Sequence, residues 1–176
     1  AEPVPSRVVA AFPMPVLAPR LVDDGLRLRI CDLRLAEQPA LAGLKHLNRL
    51  EQVLARAEWS DPAVHEGLLL DVAGRAVCAT MANVFAVIDG VVVTPSLTRC
   101  GVAGVARAEV LAALPAAQVR DLVLHELLSA SEVFLTSSVR GILPVQAVGD
   151  KVFAPGPVAR AMQLHWRGLG FPLELA

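Results

Sequence analysis

The sequence predicts a mixed α/β domain, because short β-rich runs alternate with helical patterns along most of its 176 residues. An apolar fraction of 55% supplies side chains for a sizeable core in one domain of this length. The pair Asp89-Gly90 lies between two β-rich runs and is the two-residue sequence that best favours a type I′ hairpin. The expected domain covers roughly residues 20–176.

The first segment, residues 6–20, is interrupted by proline. Pro13, Pro15 and Pro19 are expected to stiffen a linker here and to exclude a helix. The chain opens on Ala1 with no initiator methionine and no signal pattern, so we expect it to be a piece of a longer protein.

An amphipathic helix is expected over residues 43–59. Leu47, Leu50, Leu54 and Ala57 recur at spacings of three and four, so they fall on one helical face that can be buried. Arg49, like the other charged residues of this segment, is expected to remain solvated.

Further elements follow from local patterns of β-branched residues, proline and glycine. The expected strands cover residues 67–72, 75–81, 84–88, 91–94, 119–124, 133–136 and 145–148. The expected helices cover residues 105–114, 126–130 and 157–169. Pro95 is expected to end a strand, and Pro157 to stand in the first turn of the last helix.

Composition excludes several function classes. The formal net charge is −1 and the chain has only two lysines, so no basic patch indicates a nucleic-acid partner. The longest apolar runs fall well short of the roughly 20 residues of a membrane helix. Three cysteines, without metal-ligand spacing, favour reduced thiols in a cytoplasmic protein over disulfides, and no metal site is expected.

A series of motifs then gives a resemblance. In order along the chain they are KHLNRLEQ from Lys45, LLLD with Gly74, ANVF at 82–85, TPSLTRCGVAGVAR at 94–107, EVFLTSS at 132–138 and ILPV at 142–145. Together they resemble the aminodeoxychorismate lyases, within the branched-chain aminotransferase-like (fold type IV) pyridoxal phosphate enzymes. The resemblance implies the larger C-terminal domain of that fold over residues 20–176. Residues 1–19 would be a remnant of the smaller N-terminal domain and the linker, and the rest of that domain would be missing.

The resemblance implies a binding site for pyridoxal 5′-phosphate. It gives Lys45 as the lysine that holds the cofactor covalently and then serves as general base, and places Asn83 of ANVF in the same site. The backbone amides of Val105 and Ala106, at the start of a helix, would bind the phosphate. A second phosphate-binding loop, TSS, is also implied; in it Ser138 occupies the position of the family's threonine, with Ser137 as the alternative.

Cys78 is where the chain departs from the family. Members usually carry a glutamate five residues before the asparagine of ANVF, which keeps the pyridine nitrogen protonated, and a thiol cannot match that charge. We hypothesise that Cys78 makes the electron sink shallower and favours lyase over aminotransferase activity. The alternative is a buried core cysteine, with some other group at the pyridine nitrogen.

Three further residues, Arg140, His46 and Arg107, lie within or beside these motifs. Arg140, in the loop after Ser138, is the candidate for binding a carboxylate of a dicarboxylate substrate, although it also fits a solvated loop residue. His46 is expected to be structural, because adjacent residues on a helix point in different directions. Arg107 is expected on the surface and outside the site.

The implied reaction converts 4-amino-4-deoxychorismate to 4-aminobenzoate and pyruvate in folate biosynthesis, in a homodimer. Two other classes stay open. One is a fold type IV aminotransferase for D- or branched-chain amino acids, which would require a 2-oxo acid. The other is a catalytically silent homologue that binds a ligand or a partner.

Overall fold

The computed structural model describes residues 5–14 and 16–171. Its helices are α1 (Pro19–Asp23), α2 (Leu50–Arg56), α3 (Val105–Ala113), α4 (Leu124–Ser129) and α5 (Pro157–Gly168). Its strands are β1 (Leu26–Leu35), β2 (Glu66–Asp71), β3 (Arg75–Ala79), β4 (Asn83–Ile88), β5 (Val91–Pro95), β6 (Gln118–Arg120), β7 (Leu122–Val123), β8 (Glu132–Ser137), β9 (Gly141–Val148) and β10 (Lys151–Val152). The predicted mixed α/β class is therefore confirmed.

The strands form one mixed sheet in the order β6-β5-β4-β8-β9-β1-β2-β3-β7, with β10 alongside β9. The pairs β1–β2, β1–β9 and β5–β6 are parallel, and the other pairs are antiparallel. Helices α1 and α5 pack against β9, α2 against β1, and α3 against β8. No helix in the described residues is long and apolar enough to cross a membrane.

The centre of the core lies where β4 and β8 pair. Phe85 is opposite Phe134 in the register, and their rings stack with centroids 5.0 Å apart. Both side chains are fully buried, so each removes a large apolar surface from water. This pairing fixes the strand ends from which the loops of the candidate site emerge.

The β4–β5 hairpin confirms the expected turn. Asp89 and Gly90 have φ angles of 49° and 79°, the two left-handed residues that a type I′ turn requires. Pro95 ends its strand as expected: it is the last residue of β5 and pairs with Arg120.

The helix expected over residues 43–59 is wrong in extent and in orientation. Helix α2 begins only at Leu50, and the face expected to be buried is exposed, with Leu47 fully in solvent. The buried residue of α2 is instead Ala55, in a small second core with Trp59. The first part of the segment is drawn into a loop because Gly43 bonds to the loop at residues 101–103, and that pairing prevails over helix propensity.

Two other expectations near the N-terminus need correction. Pro19 does not exclude a helix but begins α1, where its missing N–H costs no hydrogen bond. Pro15 lies outside the described residues, and no helix or strand covers residues 5–14. Strand β1, which was not predicted from the sequence, is the longest strand of the described residues. Its alternation of leucine with arginine was a usable period-two signal.

Candidate active site

A glycine loop leads into α3 and is held by one side chain. The Asn83 amide nitrogen donates to the Val102 carbonyl at 2.8 Å, and its oxygen accepts from the Gly104 N–H at 3.2 Å. A β-carbon on Gly104 would overlap that oxygen, so only glycine allows this approach. Asn83 therefore positions the loop, and both of its amide groups are used in doing so.

The start of α3 offers free N–H groups. Gly104 is the N-cap and has no side chain to cap the helix, and no acidic residue stands in the first turn. The amides of Val105 and Ala106 have no acceptor within the helix by its geometry. Together with the positive end of the helix dipole, they can bind an anion.

Lys45 lies on a loop that is attached to this glycine loop. Gly43 donates to the Gly101 carbonyl and accepts from the Ala103 N–H, each at 3.0 Å. Lys45 follows two residues later and is exposed. A backbone bridge that the sequence did not reveal thus joins the loop of Lys45 to the glycine loop that precedes α3.

Arg49 fixes the loop around Lys45. Its guanidinium donates to the Leu44 carbonyl at 2.6 Å and to the His46 carbonyl at 3.0 Å, on either side of the lysine. The expectation that Arg49 is a solvated helix residue was wrong, because the segment at 44–49 is not helical and leaves carbonyls for it to bind. His46 has a buried Nδ1 atom without a hydrogen-bond partner in the described residues, and its structural role stays a prediction.

The turn between β8 and β9 approaches the same place. Asn83 pairs with Thr136 across the β4–β8 ladder, so the Ser137–Ser138 turn emerges beside the glycine loop. The Ser137 hydroxyl accepts the Arg140 N–H at 3.0 Å, while Ser138 is exposed. Of the two serines, Ser138 is the one whose hydroxyl has no partner among the described residues.

Arg140 is not the solvated loop residue that the sequence left as the alternative to a substrate-binding role, and that role stays a prediction. Its guanidinium donates to Glu66 Oε2 at 2.6 Å, and the side chains of Arg140 and Glu66 are 15% and 0% exposed. Glu66 also accepts the Gly67 N–H at 3.0 Å and the Thr80 hydroxyl. Arg140 therefore anchors the Ser137–Ser138 turn to β2. This role could not be predicted from local pattern, because Glu66 stands 74 residues away.

Cys78 is packed into the small core with Leu69 and Cys100. Burial, with smaller effects of Cys100 and Glu66, raises the pKa of the Cys78 thiol to about 12. The group is therefore a neutral thiol at neutral pH, and it supplies no negative charge. Its surroundings agree with the alternative interpretation of a buried core cysteine.

Arg107 is buried, which contradicts the expectation of a surface residue. Its side chain turns back onto the end of β5, where Nε donates to the Thr94 hydroxyl at 3.3 Å and an NH₂ group donates to the Pro95 carbonyl at 3.1 Å. Burial lowers the pKa of the guanidinium from its ordinary value. No local pattern predicts this orientation, because it depends on where β5 ends relative to α3.

Several known proteins are similar to this chain in sequence and in structure. The family model for amino-transferase class IV matches residues 1–148. Aminodeoxychorismate lyase of Vibrio harveyi is 41% identical over 149 residues, which cover 80% of this chain and 55% of that protein. The crystal structure of 4-amino-4-deoxychorismate lyase from Pseudomonas aeruginosa has a TM-score of 0.86 and 48% identity, with 90% of this chain and 60% of that chain covered.

The crystal structure of the branched-chain amino acid aminotransferase of Escherichia coli has a TM-score of 0.77 at 25% identity, with 94% of this chain and 58% of that chain covered. The chain thus spans between 55% and 60% of the length of these three proteins. Its architecture matches the C-terminal domain of the fold type IV enzymes, as the motifs predicted. The sequence motifs, the sheet and these similarities lead to one conclusion: the chain belongs to the amino-transferase class IV family.

Proposed function

We propose that this chain forms the pyridoxal 5′-phosphate-binding part of a lyase that converts 4-amino-4-deoxychorismate to 4-aminobenzoate and pyruvate. The observation that carries the proposal is the backbone bridge between Gly43 and the glycine loop, which joins the Lys45 loop to an uncapped helix start. The similarity to two aminodeoxychorismate lyases supports the choice of reaction.

The phosphate end of the cofactor fits the residues present. The first turn of α3 has no acidic side chain beside the Val105 and Ala106 amides, and Gly104 allows the close approach of the Asn83 oxygen that holds the loop. The exposed Ser138 hydroxyl supplies a further donor. The ring end fits less closely, because Cys78 offers a buried neutral thiol where the family usually has a carboxylate.

Lys45 would act first as the holder of the cofactor and then as a base. When bound, pyridoxal phosphate supplies an electron sink for a substrate whose amino group is attached to it. The Lys45 amine, in its free form, would accept the proton from the amine-bearing ring carbon of the substrate. Loss of the enolpyruvyl group then makes the ring aromatic. Arg49 holds the carbonyls on both sides of Lys45, so the backbone that carries the lysine is fixed.

The proposal is tested by reducing the protein with borohydride in the presence of pyridoxal phosphate and mapping the modified peptide by mass spectrometry. We expect the pyridoxyl group on Lys45 and not on Lys151, which is the only other lysine and serves as an internal control. A Lys45→Ala variant should stay unlabelled. Equal labelling of both lysines would contradict the proposal. So would no labelling, here and in a version extended to the length of the relatives.

The aminotransferase alternative rests on the similarity to the Escherichia coli enzyme. The lyase should release 4-aminobenzoate without a 2-oxo acid, whereas an aminotransferase would require one. The variant Cys78→Glu distinguishes the lyase from the aminotransferase further, since introducing the family's carboxylate should raise a transaminase side activity. No rise would contradict the hypothesis that Cys78 disfavours transamination.

We also infer the setting in which the enzyme would work. A nearly neutral chain with three free cysteines and no membrane-spanning helix in its described residues fits a cytoplasmic enzyme. The row of exposed apolar side chains at Leu47, Leu50 and Leu54 fits a surface that is covered in a homodimer or by an N-terminal domain. The division into residues 1–19 and 20–176 remains part of the same proposal.

A further inference from the structure

Arg107 carries a buried charge that the protein does not neutralise. Its side chain is only 9% exposed, and its hydrogen bonds go to two neutral acceptors, the Thr94 hydroxyl and the Pro95 carbonyl. Among residues 5–14 and 16–171, no carboxylate forms an ion pair with it. A buried guanidinium is stable only when something compensates its charge.

The position of Arg107 on its helix makes the burial of its positive charge more unfavourable. It is the third residue of α3, where the helix dipole already places positive potential and where a basic residue is disfavoured. Glu109, the nearest acidic residue in the sequence of α3, is bound to His165 at 2.8 Å. Two sources of positive potential thus coincide at one helix start.

The other buried charges in the described residues are compensated. Glu66 is paired with Arg140, and Asp71 with Arg75 at 2.7 Å. Glu132, the first residue of β8, places its carboxylate against the start of α5 and accepts the N–H groups of Val158 and Ala159 at 3.2 and 2.5 Å. At α5 the Glu132 carboxylate binds the N–H groups of the helix start. The first turn of α3 has no carboxylate, and Arg107 is its third residue.

We propose that Arg107 is the buried counter-charge for the anionic group bound at the Val105 and Ala106 amides. The inference rests on the proposed function, and it adds a residue that the motifs alone did not select. Arg107 is a positioning residue: it acts through its charge and by tying the first turn of α3 to the end of β5. The ligand group it favours is a phosphate dianion.

Two variants separate the charge from the contacts. Arg107→Met keeps the length of the side chain but removes the charge, and Arg107→Lys keeps the charge but loses the planar fork. We expect Arg107→Met to bind pyridoxal phosphate and inorganic phosphate at least about tenfold more weakly, because the variant removes a unit positive charge from the surroundings of a bound dianion. Affinity for pyridoxal, which has no phosphate, should stay unchanged. Arg107→Lys should stay within about threefold of the parent chain for all three ligands.

The ligand-free melting temperature distinguishes this role from a structural one. Arg107→Met loses two hydrogen bonds but also removes an uncompensated buried charge, so the two effects should offset each other and the melting temperature should change little. A fall in melting temperature with equal losses for pyridoxal and pyridoxal phosphate would overturn the proposal. If Arg107→Met does not fold, NMR of the parent chain provides the test. Inorganic phosphate, and not chloride, should shift the Arg107 Nε–H resonance. A resonance that phosphate does not shift would also overturn the proposal.

Failure of the proposed function would look different. If Lys45 reacts with neither pyridoxal nor pyridoxal phosphate, the lyase proposal fails. Binding of inorganic phosphate and its dependence on Arg107 would still support the counter-charge, since that measurement does not involve the lysine. Phosphate binding that Arg107→Met leaves unchanged would refute the counter-charge alone.

Discussion

The ion pair between Glu66 and Arg140 should be one of the strongest single contributions to the stability of this fold. Glu66 is fully buried and makes three hydrogen bonds, one of them to the guanidinium at 2.6 Å. Replacing Glu66 with Gln keeps the shape but removes the charge-assisted bond, which should lower the free energy of unfolding by about 2 kcal/mol. Glu66→Ala also leaves the Arg140 charge and the Thr80 hydroxyl without an acceptor, and should cost about 4 kcal/mol.

Urea denaturation followed by fluorescence of the two tryptophans measures both values. A double-mutant cycle with Arg140→Met should give a coupling energy of about 2 kcal/mol. The matched control is Asp32→Asn. Asp32 is 90% exposed and forms an ion pair with Arg29 at 3.0 Å, so this change should lower the free energy of unfolding by less than about 0.5 kcal/mol. Additive effects of the Glu66 and Arg140 variants, or a Glu66→Gln loss no larger than that of Asp32→Asn, would refute the reasoning.

Three further predictions concern the cradle and the small core. Gly104→Ala places a β-carbon against the Asn83 amide oxygen and should lower the melting temperature and weaken phosphate binding, whereas Gly168→Ala meets no atom within 4 Å and should do neither. Asn83→Ala removes both hydrogen bonds to the glycine loop and should destabilise the chain by about 2 kcal/mol in urea denaturation; an unchanged midpoint would show that the loop holds itself. Cys78 has a folded pKa of about 12 against 9.0 for the free thiol, so the folded state keeps its proton longer and stability should fall as the pH rises above 9. Cys78→Ala should reduce that slope but not abolish it, because burial also raises the pKa of the Cys31 and Cys100 thiols; an unchanged slope would show that Cys78 does not contribute.

Much of the fold was predictable from local pattern. The Asp89-Gly90 hairpin was predicted because its turn chemistry is contained in two residues. Helix α5 was predicted to within a residue because proline and glycine mark its ends. The segment after Gly43 could not be predicted in this way, since its amphipathic spacing was overridden by a bridge to residues almost 60 positions further along the chain.

The candidate site also contains residues that were predicted from motifs and residues that were not. Lys45, Val105 and Ala106 came from motifs, and the structure places their two loops in contact. The contacts of Glu66, Arg49 and Arg107 could not be predicted from the motifs, because each depends on a partner brought near by the sheet or by a loop. Burial of a charged side chain is the property that short-range pattern is least able to predict, since such residues are seldom buried.

The attachment of two loops to one end of β4 has a consequence for motion. The backbone of Asn83 pairs with Thr136, just before the serine turn, and its side chain holds the glycine loop. Neither loop can swing away while that strand end stays paired, so the cradle should open only when the sheet itself frays. Amide hydrogen exchange at Gly104 should then be nearly as slow as in the centre of the β4–β8 ladder. A ligand would meet a preformed surface and would lose little affinity to ordering it.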